Sequence, residues 1–270
     1  MIKLSVIISV FNGEQYLAES LDSVLHQSFN DFELILIDDA SKDQSRRIIE
    51  QYSNLDSRII PIYNQSNVGL TANLNKGIKK ARGELIGRMD ADDVAFPLRF
   101  EAQISYLDSH PEVDLVGSSA IVIDGKGHEL SLRSVPEFHK DILSMLPKAN
   151  PVTHSTVIFR KDRFARISFY NENYPIIQDY EMWFRAIGKG LKFHNLQETL
   201  LAYRMDKNYI DRKSMNYRWC DFKLRIKSFK HIDLPFFKYY YALIPLILGL
   251  TPKRFYPHLK KTDPRVKNLD

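Results

Sequence analysis

Four apolar runs, each followed by a stretch of helical periodicity, fill residues 4–110, and this alternation limits the fold more than any other feature of the chain. Leu4–Val10 is nearly continuous in apolar residues, and Leu17, Leu21, Val24 and Leu25 then recur at helical spacing within 14–27. Residues 32–37 form a second run, and Ser41 with Gln44 three positions later makes a capping-box pattern that opens a helix reaching Tyr52. A third strand is expected at 58–63, a third helix at 70–81 and a fourth strand at 84–89. Pro97 stands at the first position of a helix carrying Phe100, Ile104 and Leu107. Strands that alternate with helices pair in parallel, because each helix carries the chain back across a face of the sheet.

Beyond residue 110 the pattern loses this regularity. Residues 113–123 read as a strand closed by the turn Asp124-Gly125-Lys126-Gly127, 137–146 and 178–187 as helices, and 155–160 and 191–196 as strands. The expected fold class is α/β, a mixed sheet flanked by helices over 1–210, with a nucleotide-type half at 1–110 and a second half at 111–210. A tail follows at 211–270. A length of 270 residues suits one large domain with an appendage, and 44% hydrophobic residues can fill its core. Cys220 is the sole cysteine, which excludes an intrachain disulfide and a cysteine-held zinc or iron–sulfur centre and points to a reducing compartment. The opening MIKLSVIISV has one lysine and no small-residue cleavage site after it, so it reads as a buried strand rather than a leader peptide.

In an open parallel sheet, ligands bind beyond the carboxyl ends of the strands. Two acidic clusters fall there: Asp38-Asp39 after the second strand and Asp90-Ala91-Asp92-Asp93 after the fourth. Carboxylates confined together raise one another's pKa unless a cation compensates, and hard oxygen ligands suit Mg²⁺ or Mn²⁺. Phe11-Asn12-Gly13-Glu14 follows the first strand in place of a Gly-x-Gly-x-x-Gly loop, and no Walker A loop is present, so neither of those phosphate cradles is expected.

The runs SVIISVFNGEQYL, LILIDDAS, NVGLTANLNKGI and GELIGRMDADDVAFPLRFEAQ resemble, in order and spacing, bacterial family 2 glycosyltransferases of the GT-A fold, over about residues 3–205. The resemblance implies a Rossmann-like mixed sheet and a nucleotide-sugar donor. Phe11, Glu14 and Asp39 would line the nucleoside pocket, Asn67 and Arg88 would join the donor pocket, and Asp90 with Asp92 would hold Mn²⁺ or Mg²⁺ on the diphosphate. Asp93 would stand behind that pair, toward the acceptor side with His154 and Trp183. NPVTHSTVIFR contains His154 where related sequences often carry histidine. Gln178-Asp179-Tyr180-Glu181-Met182-Trp183 is similar to a Glu-Asp-Tyr-x-x-Trp motif whose Asp is the catalytic base; Gln178 replaces the Glu, and Glu181 is the next candidate. Tyr203-Arg204-Met205-Asp206 has Asp where His is usual, and 215–219 departs from the Gln-x-x-Arg-Trp pattern of processive polymerases. That departure implies transfer of one sugar per visit, and one base with direct displacement implies inversion.

Eleven of the 38 Lys and Arg residues but only four of the 33 Asp and Glu residues lie after residue 220, so the last fifty residues carry +7 and the first 220 carry −2. Inside that basic tail, LPFFKYYYALIPLILGL is shorter than the ~20 apolar residues of a spanning helix. It is expected as a helix lying in the membrane interface, with aromatic rings at headgroup level and lysines on anionic lipid. That fits a saccharide acceptor linked to lipid, such as a polyprenyl-diphosphate sugar, in O-antigen, capsule or lipopolysaccharide assembly at the cytoplasmic face of the inner membrane. The aromatic and apolar content of the tail argues against nucleic acid. Two other readings are a nucleotidyltransferase, which places a Gly-rich basic loop after its first strand, and a non-catalytic nucleotide-sugar-binding or membrane scaffold, in which Asp179 would be dispensable.

Overall fold

β1 (Leu4–Val10) runs through the interior of the sheet, parallel to β2 (Phe32–Asp38) on one side and to β4 (Leu85–Arg88) on the other. The computed structural model describes residues 2–205, 214–251 and 265–267. β3 (Ile59–Tyr63) extends the parallel edge beside β2. On the other side β8 (Ile158–Arg160) pairs antiparallel with β4, and β6 (Leu115–Ile123) pairs antiparallel with β8 and β7 (Glu129–Arg133) and parallel with β9 (Phe193–Arg204). The two-residue strand β5 (Val94–Ala95) pairs with β9, and β10 (Val266–Lys267) pairs with β7.

Both faces of the parallel part are covered, which is why its strands read as unbroken apolar runs. Ile7, Ile35 and Ile86 point into one core with α3 (Leu70–Lys80) and α7 (Gln178–Gly188), while Val6, Ile8, Leu34 and Leu36 point into the other with α1 (Leu17–Leu25), α2 (Ser45–Leu55) and α4 (Arg99–Ser109). Alternate residues of each strand thus fill opposite cores.

Several boundaries differ from expectation. α2 begins at Ser45, because Ser41 Oγ accepts the Asn12 N–H at 3.0 Å and leaves the capping of α2 to others. Asp43 Oδ1 accepts the Ser45 N–H at 2.9 Å, and Glu14 Oε2 accepts the Gln44 N–H at 2.8 Å. α4 starts at Arg99, two residues after Pro97. β9 continues to Arg204, well past the apolar run, because it pairs along β6.

The tail differs most. α8 (Met215–Ser228) shares the core of the body: Leu224 and the adjoining Phe229 are fully buried, and the Phe229 and Phe184 rings lie 5.9 Å apart. The 234–250 run forms a 3-10 segment, Phe236–Leu243, and a short α9 (Ile244–Leu250) with Pro245 at its start, instead of one interfacial helix. Tyr239, Tyr241 and buried Ala242 pack inward, whereas Phe236, Phe237, Tyr240, Leu243, Ile247 and Leu250 are exposed. Among the described residues no helix is long and apolar enough to cross a membrane. Asp206 and the tail's Lys253, Arg254, Lys260 and Lys261 lie outside the described residues.

Candidate active site

Asp39 and Asp90 flank the carboxyl end of β1. The Asp39 N–H bonds the Val10 carbonyl, while Met89 reaches the Ile7 carbonyl from the opposite neighbour. Asp39 is 2% exposed; its Oδ1 accepts from Asn64 Nδ2 at 2.7 Å and the Val68 N–H at 2.9 Å, and its Oδ2 accepts the Gly69 N–H at 2.9 Å. Burial works against the carboxylate, but these donors outweigh it and hold its pKa below the usual range. Oδ2 keeps acceptor capacity for one more N–H, such as that of a base edge. Beside it Phe11 is half-exposed, a free aromatic face at the strand end, and Asn67 is exposed in the loop that Asp39 gathers. Glu14 is exposed; its carboxylate accepts the Gln44 N–H, and its own N–H donates to Asp43 Oδ2 at 3.0 Å.

The second cluster rests on two buried guanidinium groups. Arg88, 3% exposed, donates to Asp90 Oδ1 and, at 2.9 Å, to Ser155 Oγ, which in turn donates to Asp90 Oδ2 at 2.9 Å. Arg99, fully buried, donates to the Arg88 carbonyl at 2.9 Å, and burial lowers its pKa to about 9. Asp93 is wholly buried and accepts the Arg204 N–H at 2.8 Å. Burial, then Asp90 and Asp92, push its pKa well up. Asp93 therefore sits beneath the cavity rather than on the acceptor side. Carboxylate oxygens of Asp90, Asp92 and Asp93 lie within 4.8 Å of one another, and Asp90 and Asp92 face the cavity. This all-oxygen set fits a hard divalent cation.

That cavity, about 570 Å³, is lined also by Arg88, Arg133, Asn150, His154, Ser155 and Asp179. Asp179 enters it from the first turn of α7, and Asn150 Nδ2 donates to its Oδ2 at 2.7 Å. Burial raises the Asp179 pKa against the Tyr180 N–H, Asn150, Arg88 and Arg133, all of which favour the charged form. His154 Nε2 is 2.7 Å from the Tyr170 hydroxyl, and burial together with Arg88 keeps its imidazole neutral. Trp183 does not reach the cavity. It is fully buried, its ring edge-on to Phe193 at 5.5 Å and to His154 at 6.0 Å. Glu181 is engaged by Arg185 through two bonds of 2.8 Å, away from the cavity lining.

A family model described as glycosyl transferase family 2 matches residues 5–168. The chain belongs to that family. It is 35% identical over 255 residues to the putative glycosyltransferase EpsE of Bacillus subtilis, covering 93% of this chain and 90% of that one. It is 31% identical over 220 residues to the O-antigen biosynthesis glycosyltransferase WbnJ of Escherichia coli, covering 80% and 85%. Among solved structures, S. aureus TarS residues 1–349 in complex with UDP-GlcNAc superposes with a TM-score of 0.72 at 19% identity, covering 96% of this chain and 79% of that one. The curled mixed sheet is thus the GT-A fold, and the enzyme is a glycosyltransferase.

In this glycosyltransferase Asp90, Asp92 and Asp179 line one cavity, whereas Asp38, Asp39, Phe11, Glu14 and Asn67 are not among its lining residues. What sequence reasoning missed is the support of the cavity carboxylates: Ser155 on Asp90, Arg99 behind Arg88, Asn150 on Asp179, and Arg133 near Asp179. Asn150 opens the NPVTHSTVIFR segment, and Ser155 follows His154 within it, so the signal lay in a motif read only for its histidine.

Proposed function

We propose that the enzyme moves one sugar from a nucleotide-sugar donor, a UDP-sugar, to a hydroxyl of a lipid-linked saccharide acceptor, with inversion, in bacterial surface-polysaccharide assembly. The observation that carries this reading is the shared cavity, in which Asp90 and Asp92 project from the end of β4 and Asp179 from the first turn of α7. Asp92, with Asp90 in support, would hold Mn²⁺ or Mg²⁺, which when bound neutralises the diphosphate that departs. Arg88 and Ser155 fix the Asp90 carboxylate at both oxygens. Asp179, oriented by Asn150, takes the proton from the acceptor hydroxyl as that oxygen attacks the anomeric carbon. Phe11, Glu14, Asp39 and Asn67 border the nucleoside, with Asp39 reading the base, and His154 borders the acceptor. O-antigen synthesis by WbnJ and UDP-GlcNAc binding by TarS support the pathway and the donor class.

The exposed row Phe236, Phe237, Tyr240, Leu243, Ile247 and Leu250, with Lys238 among it, supports peripheral contact at the cytoplasmic membrane face. A screen of UDP-, GDP- and dTDP-sugars with Mn²⁺ or Mg²⁺ tests the donor assignment, since slow hydrolysis without acceptor releases the matching nucleoside diphosphate. Asp92→Asn should remove most of the metal-dependent nucleotide binding in a folded protein. Binding equal to that of the unaltered enzyme would move the metal elsewhere.

A further inference from the structure

Arg204, the last residue of β9, is 5% exposed, and its three guanidinium nitrogens go to three different elements. Nε donates to the Asp92 carbonyl at 2.8 Å, Nη1 to the Asp124 carbonyl at 3.2 Å and Nη2 to Glu19 Oε2 at 2.6 Å. The guanidinium lies over the Tyr16 ring at 4.3 Å, and the Tyr16 hydroxyl donates to the Gly125 carbonyl at 3.2 Å. The Arg204 main chain adds a further bond, its N–H donating to Asp93 Oδ1 at 2.8 Å. One residue thus joins the acidic loop 90–93, the turn between β6 and β7, and the start of α1.

We infer that Arg204 is a positioning residue for the cation site, acting through the Asp92 carbonyl and the Asp93 carboxyl. The inference rests on the metal reading of Asp90 and Asp92. Carboxylate oxygens of Asp90, Asp92 and Asp93 lie within 4.8 Å of one another, and carboxylates that close repel, so the backbone has to hold them together until an ion binds. Arg88 and Ser155 fix Asp90 at one end of the loop, and β5 pairs Val94 and Ala95 with β9 at the other. Asp92 lies between these fastenings, its carboxylate facing the cavity and its carbonyl held by Arg204. Bonds behind a metal ligand fix its orientation, and losing one commonly costs roughly 10–100-fold in metal affinity. The ion pair with Glu19 matters least among these contacts, because that carboxylate is more than half exposed. Lysine cannot replace this arginine: an ammonium offers one nitrogen where the Asp92, Asp124 and Glu19 oxygens are met by three.

The test is calorimetry of the nucleoside diphosphate found in the donor screen, on the full chain with and without Mn²⁺, joined to amide hydrogen exchange over residues 91–95. In Arg204→Lys the affinity without metal should stay within about twofold of the unaltered chain, while the gain in affinity that Mn²⁺ gives should shrink roughly tenfold. Amides 91–95 should exchange roughly tenfold faster in that variant, with β1 unchanged. Glu19→Gln should keep the gain within about twofold. Tyr16→Leu removes the ring beneath the guanidinium and should shrink the gain about three- to fivefold, and it decides the matter if Arg204→Lys does not fold. The inference is overturned if folded Arg204→Lys, or Tyr16→Leu in its place, keeps the full gain, or if Glu19→Gln costs as much as Arg204→Lys. It is overturned equally if affinity without metal falls as far as the gain, which would put Arg204 on the nucleotide itself. Should no nucleoside diphosphate bind, or Mn²⁺ give the unaltered chain no gain, the donor or the metal reading fails by itself, and the exchange of amides 91–95 in Arg204→Lys and Tyr16→Leu still decides whether Arg204 holds the loop.

Discussion

As the proposed base, Asp179 shows what a single carboxylate needs in order to take a proton at neutral pH. Burial raises its pKa toward the working range, and Asn150 keeps the charged form from becoming too costly. Asp179→Asn should lower transfer by about 10²–10⁴-fold while nucleotide affinity stays unchanged; a variant within about threefold of the unaltered enzyme at saturating substrates would rule Asp179 out. Glu181 is a poor substitute, since both of its oxygens are held by Arg185. The sign of the Asn150 effect also follows. A base must be deprotonated, so activity falls as pH drops through the raised Asp179 pKa. Asn150→Ala removes a donor that favours the anion, raises that pKa further and should move the acid limb of kcat/KM to higher pH. A limb that stays in place while kcat falls would give Asn150 a packing role only. Asp179 was legible because its motif places an acid at a helix start. Trp183, one turn further into the same helix, was misjudged, because that turn carries the helix past the cavity rim into the aromatic core of Phe164 and Phe193.

Elements were legible where burial alone dictates them. β1 and β2 are buried on both faces, so their apolar runs mark their extent closely. Helix starts were not, since the groups satisfying α2 come from Asp43 and from Glu14, thirty residues back, and no local pattern encodes such cross-loop bonds. β5, two residues long, offers too little periodicity to be seen. The α7 terminus carries a testable close approach. Gly188 lies against the 3-10 turn Phe229–Ile232, where an added Cβ would meet the His231 carbonyl oxygen. Gly188→Ala should therefore cost about 1–3 kcal/mol through overpacking, more than the ~0.5–1 kcal/mol that alanine gains in a helix. Urea denaturation followed by tryptophan fluorescence measures it, and an unchanged or raised midpoint would show that the turn yields freely.

At the scale of the whole molecule the tail has two sides. Its inner side completes a core with Phe184, and its outer side presents an apolar row with Lys238 within it. Removing everything after residue 230 would strip Tyr239, Tyr241 and Ala242 from the core along with a cavity wall, so truncation cannot isolate a membrane role. Phe236→Ser with Phe237→Ser alters only exposed rings. Burial of apolar surface contributes ~25 cal/mol per Å² and each Lys or Arg near anionic lipid about 1 kcal/mol. Sedimentation with phosphatidylglycerol vesicles should weaken but persist as salt rises, because salt screens only the charge contribution. The double variant should lose most of the remainder while its nucleotide affinity is unchanged, and vesicle binding that survives the substitution would move the contact to another surface. The same two-sidedness has a consequence for biosynthesis. β1 to β4 are neighbours made within the first third of translation, whereas the surface that roofs Phe184 arrives some forty residues after α7 has emerged. A nascent chain that has emerged as far as residue 205 can assemble its sheet except β10 while one aromatic face of α7 waits uncovered. That interval, rather than the local pairing of the sheet, is when a chaperone would have most to bind, and pulse proteolysis of stalled chains should find cleavage concentrated in α7 until the tail is released.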